Sequence, residues 1–228
     1  LAQLSRVDIR SIETGQFAID IERRTRVVDS AKKSKNVPFY YVDCVGQDFD
    51  NILRICRKWL YSVVGKDENG QMKDCLVAYD YFKLSDSSQR NNFAEHEAFG
   101  YQTNQAHQFC KKYDIPLLTF CQTNRSGITD ETLATVANSD KLSQNATTVC
   151  MFKPKSSDEV QEDGIQNGNM KFIPLKTIHG SSISDGDYVL FEREGQYSTF
   201  REIGLKSQID TSKGFDEEGD DDGELVEF

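Results

Sequence analysis

The sequence predicts an α/β sandwich with a mainly parallel sheet and a β-hairpin at its C-terminal end. Three observations carry this. Two short apolar runs, residues 75–79 and 115–121, are each closed by a polar residue, and helical periodicity lies between them. A sharply amphipathic segment precedes the first run. Two β-like stretches near the end flank Glu194-Gly195, a turn pair.

Element by element, residues 20–34 carry several charges and read as an exposed helix. Residues 38–42 read as a short strand. Phe49, Ile52, Leu53, Cys56, Trp59, Leu60 and Val63 then recur on one face of a 3.6 period, so a helix packs there, and the polar turn 66–70 ends it. Cys75-Leu-Val-Ala-Tyr79 is too short for a helix and suits a strand buried on both faces, with Asp80 at its end. Polar loop fills 85–92, and Ala94, Ala98, Tyr101, Phe109 and Tyr113 mark a long helix. Residues 115–121 form a second buried strand, closed by Gln122. Residues 126–142 read as polar loop, 147–152 as a third strand and 155–169 as a Ser/Asp/Glu/Gly-rich loop. Strands are expected over 170–178, 187–192 and 196–203, the last two as a hairpin.

The chain has 228 residues, 37 % of them hydrophobic, with net charge −10. Residues 214–228 hold eight of the 37 acids and none of the 27 bases, which leaves the rest of the chain nearly neutral. Residues 209–228 are therefore expected to be a disordered acidic tail, and residues 1–208 the folded domain. A tail of this kind also serves simply to solubilise. No apolar run approaches the ~20 residues of a membrane-spanning helix. A chain opening on Leu1 reads as a piece of something longer. Six cysteines without CxxC spacing read as reduced, buried thiols. His96, His107 and His179 show no metal-ligand spacing.

Ligands of parallel α/β sheets sit beyond the carboxyl ends of the strands. Asp80 and Gln122 both fall there. A strand-end carboxylate can hold a Mg²⁺-bound water beside a nucleotide; it can equally cap the next helix. A strand-end amide can touch a γ-phosphate; it can equally bond its own turn. Arg125 suits phosphate or plain solvent. No GxxxxGK[ST] occurs in the 228 residues, so no phosphate cradle is recognisable.

Taken together, the segments resemble the C-terminal RecA-like motor of hexameric replicative DNA helicases, the DnaB-like family and its phage relatives. Residues 1–15 resemble its "LA..SGV....I.TG" stretch, and residues 38–43 its "PIYIDD" strand. Cys75-Leu-Val-Ala-Tyr-Asp-Tyr-Phe-Lys-Leu84 is similar to the Walker B strand "LIVIDYLQL". Ile115-Pro-Leu-Leu-Thr-Phe-Cys-Gln-Thr-Asn-Arg125 is similar to "IPVIALSQLNR". Residues 140–149 resemble "GAIEQDADVV", and residues 175–180 lie where the family has "AKxRNG". Order and spacing agree over roughly residues 1–203.

The resemblance implies a RecA-like three-layer sandwich, ATP and Mg²⁺ as cofactors, a homo-hexameric ring, and single-stranded DNA in its channel. It makes Asp80 the Mg²⁺ carboxylate, acting through water, and Gln122 the γ-phosphate sensor. Lys176 and His179 would contact the neighbouring subunit's nucleotide, and Arg125, Lys141 and Arg90 would meet DNA. The acidic tail ending in Phe228 would reach a polymerase, primase or loader, in the cytoplasm of a bacterial or phage-infected cell. The family's P-loop and water-activating glutamate are expected before Leu1. Its arginine finger falls near Ile178, where this chain has no arginine. The implied function is an ATP-dependent DNA helicase whose fragment here is inactive alone. The alternative is a non-catalytic RecA-like subunit or assembly partner of a replisome, or a recombinase- or clock-type ATPase.

Overall fold

The computed structural model describes residues 1–82, 95–123, 130–136, 144–180, 183–184 and 186–209, with side chains in the long central helix described from Ala98. Residues 210–228 of the expected acidic tail, with Arg90, Arg125 and Lys141, lie outside the described residues. Among the described residues, no helix is long and apolar enough to cross a membrane.

Two compact units form. The first comprises residues 1–38, 152–173 and 183–228, and the second residues 39–151 and 174–182. The chain passes between them within two strands.

In the first unit, short helices α1 (Ala2–Ser5) and α2 (Ile9–Glu13) precede α3 (Ile21–Ser34). Asp20 caps α3 by accepting from the Glu22 and Arg23 amides, and of its residues Val27 and Ser30 are buried, so the helix is exposed as expected. Helix α6 (Ser157–Asp163) occupies the stretch expected as loop. Its start is a reciprocal cap: the Glu159 amide donates to Ser156 Oγ at 3.2 Å and the Ser156 amide to Glu159 Oε2 at 2.8 Å. Strand β5 (Val189–Glu194) pairs antiparallel with β6 (Thr199–Leu205), the expected hairpin. The turn is a 3-10 segment, Gly195–Tyr197, followed by Ser198 in the left-handed region.

Helix α6 is held by charge. Lys155 Nζ meets Asp163 Oδ2 at 2.7 Å, with side chains 0 % and 1 % exposed. Tyr188 donates to the same oxygen at 2.7 Å. Lys171 pairs with Glu159, and Lys206 with Glu162 at 3.1 Å. The Lys155, Lys171 and Lys206 ammoniums stand 5.8, 5.4 and 5.2 Å from the Tyr188 ring centre. Buried charges persist only when paired, and here each lysine has an acid. Burial raises the Asp163 carboxyl, but the Lys155 and Tyr188 hydrogen bonds and the nearby lysine charges outweigh it and hold the pKa low.

In the second unit, α4 (Phe49–Trp59) starts at Asp48, whose carboxylate accepts from the Asn51 amide at 2.7 Å. A π turn, Leu60–Val64, extends it to Gly65. Most of the apolar stripe predicted for this helix is its core face: Phe49, Ile52, Leu53 and Leu60 join Phe99, Phe109 and Tyr113 of α5 (Glu95–Tyr113) in one core, with Cys56 and Trp59 partly buried against it, whereas Val63 is 45 % exposed. Strands β1 (Val77–Tyr79) and β2 (Leu117–Thr119) form a parallel pair over it.

The mainly parallel sheet is not what the described strands form. β3 (Thr148–Pro154), β4 (Met170–Thr177), β5 and β6 make a separate four-stranded sheet in that order, with β4–β5 and β5–β6 antiparallel. The strand expected over 38–42 does not form. Those residues have no ladder partner among the described residues, and Phe39 and Tyr41 are about four-fifths exposed. The six cysteines are free, as expected, but half-buried rather than buried. Burial pushes every one of the six thiols up, so none is an activated thiolate.

Candidate nucleotide site at the carboxyl edge of the parallel pair

The ladder sets Val77 beside Leu117, Ala78 beside Leu118 and Tyr79 beside Thr119. Thr119 Oγ1 donates to the Tyr79 carbonyl at 3.0 Å, and the Phe82 amide donates to the Phe120 carbonyl at 3.1 Å. The two chains therefore stay side by side as they leave the sheet. Asp80 follows β1 directly, and Gln122 lies three residues past β2. The Asp80–Tyr81 peptide bond is cis.

Burial alternates strictly along both segments, from 75 to 80 and from 115 to 122. Cys75, Val77, Tyr79, Leu117 and Cys121 pack on the core. Leu76, Ala78 and Asp80, with Leu118, Phe120 and Gln122, are exposed. Strand alternation puts each of these sets on one face. This corrects the expectation of strands buried on both sides. Leu76, Leu118 and Phe120 are 57, 48 and 53 % exposed, so one face of the pair is bare and apolar, and it ends in a carboxylate and an amide.

Beyond Gln122, Thr123 forms an isolated antiparallel bridge with Val136. The bridge ties the base of the following loop one residue from Gln122. Within that stretch, expected as loop throughout, Leu133–Thr135 is a 3-10 turn with Thr135 buried. Val136 joins the core.

Lys176, on β4, donates to the Ala146 carbonyl at 2.6 Å. Ile178 follows, its amide bonded to the Thr147 carbonyl at 3.0 Å. Its side chain is 54 % exposed, and His179 beyond it is exposed. The fold thus gathers Asp80 and Gln122 on one bare face, while Lys176 is anchored to backbone. The apolar part of that face was not legible as exposed, because an apolar run reads the same whether one face or both are covered.

Among the described residues, no group of three or more His, Cys, Asp and Glu could hold a metal ion. A single exposed carboxylate does fit Mg²⁺, which keeps most of its waters and is held through one or two carboxylates plus substrate phosphates.

No protein-family profile and no curated protein sequence matches the chain. Solved structures do. One of them, a solved ATPase domain, matches with a TM-score of 0.70 at 13 % identity, over 89 % of this chain and 68 % of that one. A DnaB-like replicative helicase, described with its interactions with primase, matches with a TM-score of 0.67 at 14 % identity. That match covers 87 % of this chain and 45 % of the helicase, so the chain spans under half of that protein. Over most of its length the chain carries the fold of the ATPase domains of DnaB-like replicative helicases.

Proposed function

We propose that the chain is the C-terminal motor portion of a DnaB-like replicative helicase, which couples ATP hydrolysis to translocation on single-stranded DNA and duplex unwinding. The observation that supports this most directly is the shared exposed face of Asp80 and Gln122 at the carboxyl edge of a parallel strand pair. In this reading Asp80 holds a Mg²⁺-bound water, and the ion neutralises charge on the transferring phosphoryl group. Gln122 donates its amide to the γ-phosphate, and the Thr123–Val136 bridge passes the state of that contact to the loop beyond. Lys176 and His179 face a neighbouring subunit's nucleotide in a homo-hexamer. Arg90, Arg125 and Lys141 contact DNA phosphates, and the acidic tail takes a basic replisome partner.

In this reading the phosphate cradle comes from polypeptide outside these 228 residues, and the bare apolar face of β1–β2 suits a helix that brings it. Parallel strands are ordinarily covered on both faces, and a helix N-terminus is a ready anion site.

A second reading, a non-catalytic subunit of a replisome, is favoured by one observation. Ile178 stands exposed where the resemblance implies an arginine finger, and such a finger is worth on the order of 10³-fold or more in rate.

The test is phosphate release by residues 1–228 and by a polypeptide that adds the cradle, each with and without single-stranded DNA. The motor reading expects no turnover from the first, DNA-stimulated turnover from the second, and loss of that turnover with Asp80→Asn. Nucleotide binding without turnover in the second would favour the non-catalytic subunit.

A further inference from the structure

We propose that the aromatic face of the antiparallel sheet, within the first unit, is the docking site of this chain's own acidic C-terminal segment, residues 224–228. Each strand of the sheet contributes one phenylalanine: Phe152, Phe172, Phe191 and Phe200. Phe152 sits at the centre, with ring centroids 5.1 Å from Phe200, 5.5 Å from Phe191 and 6.3 Å from Phe172. Yet Phe152 is 42 % and Phe200 50 % exposed. One exposed phenylalanine is unremarkable in a folded protein, whereas two exposed rings continuous with two half-buried ones, Phe172 and Phe191, form an apolar patch of the kind that marks a binding surface.

Charge on the face identifies the occupant. The ladder sets Arg193 opposite Phe200 and Glu202 opposite Phe191, so the cationic end is the Phe200 end. Asn169 grips the Arg193 backbone, accepting from its amide at 2.9 Å and donating to its carbonyl at 3.2 Å. Arg201, by contrast, is engaged by Glu192, while Arg193 is exposed and enters none of the ion pairs found among the described residues. The fitting ligand is apolar with interspersed acids. Glu224-Leu-Val-Glu-Phe228 is such a segment.

Reach agrees. The described chain ends at Ile209, just past β6. The 14 residues 210–223 can bridge up to about 46 Å of fully extended chain. Phe200 lies five residues back from Leu205, about 17 Å along the strand. A tether of this length gives a millimolar effective concentration, enough for a five-residue contact. The docked segment would shield the rings and would have to be displaced by any basic partner that takes the tail.

The test uses the whole 228-residue chain with benzoylphenylalanine in place of Phe228, irradiated and mapped by mass spectrometry. The expected product is a crosslink within one chain to the peptide holding Phe200 or Phe152. Arg193→Glu and Phe200→Ser, both at exposed positions, should each cut its yield by about tenfold, as loss of a contact hot spot does, with the thermal melt unchanged. Three results would overturn the proposal: crosslinks joining two chains, crosslinks concentrated elsewhere, or an unchanged yield in folded Arg193→Glu. Should Phe200→Ser fail to fold, the Arg193→Glu yield decides.

Discussion

Thr119 and Tyr79 face each other across the parallel ladder, and the threonine hydroxyl donates to the tyrosine carbonyl at 3.0 Å. This bond lies at the last ladder position before Asp80. It is an extra tie between two three-residue strands, the shortest strands among the described residues.

Thr119→Val keeps the branched shape and removes the donor. The loss is expected to be about 1 kcal/mol, read as a lower unfolding midpoint in urea at unchanged slope. In the cradle-bearing motor it should also lower turnover, because the carboxyl edge would be less firmly positioned. Unchanged stability would mean that the backbone ladder alone fixes the edge.

Gly168 has φ +78, and a Cβ there would run into the Phe191 carbonyl and come within 2.8 Å of Ile203 Cδ1. A left-handed backbone and a backbone clash act together, and neither is relieved by a side-chain shift. Gly168→Ala should therefore cost on the order of 2 kcal/mol or more, measured by thermal or denaturant unfolding. A neutral result would show that β5 yields at this point.

Asp163 gives a pH-resolved prediction. Its folded pKa is depressed below the ordinary carboxylate value. Such a group stabilises the fold fully above its unfolded pKa, near about 4, and that contribution fades as pH falls through the lower folded value. Asp163→Asn leaves the fully buried Lys155 ammonium uncompensated and should cost about 3 kcal/mol near neutrality. The stability gap between the two proteins should hold from about pH 5 to about pH 7 and close below about pH 4. A gap that persists undiminished into strong acid would mean that the aspartate acts by shape rather than charge.

Much of the architecture was legible because it rests on period. The Phe49-to-Leu60 stripe, the long helix to Tyr113 and the Glu194-Gly195 hairpin announce themselves by spacing and turn chemistry. Helix α6 announces itself too, in the Ser156-to-Glu159 capping pair, but its Ser, Asp and Glu content reads as loop unless that spacing is weighed first. Residues 38–42 have strand composition, yet a strand requires a partner, which composition cannot supply. Lys155 and Lys171 are buried because Asp163 and Glu159 reach them through space, a placement no linear pattern carries. Asp80 and Gln122 were legible as strand-end polar residues. The bareness of the face they share was not, since it depends on what covers the sheet.

Gln122 yields the sharpest functional prediction. Its exposed amide lies one residue before Thr123, whose bridge to Val136 closes the base of the following loop. Val136 is itself part of the core, so a displacement at position 122 has two outlets, the buried core or the loop. Cores resist displacement because they are close-packed, so in the proposed motor the displacement is passed on along the chain that follows Thr123. In the proposed motor, Gln122→Ala should therefore leave the fold and Mg²⁺-nucleotide binding intact, since the exposed amide takes no part in the core. What should fall, by about tenfold or more, is the stimulation of phosphate release by single-stranded DNA, as expected when one charge-adjacent hydrogen bond is lost. The comparison needs three readings on the cradle-bearing chain: nucleotide affinity, basal turnover and DNA-stimulated turnover. Equal stimulation in Gln122→Ala and the unchanged protein would remove Gln122 as the sensor and leave the Thr123–Val136 bridge a purely structural clasp.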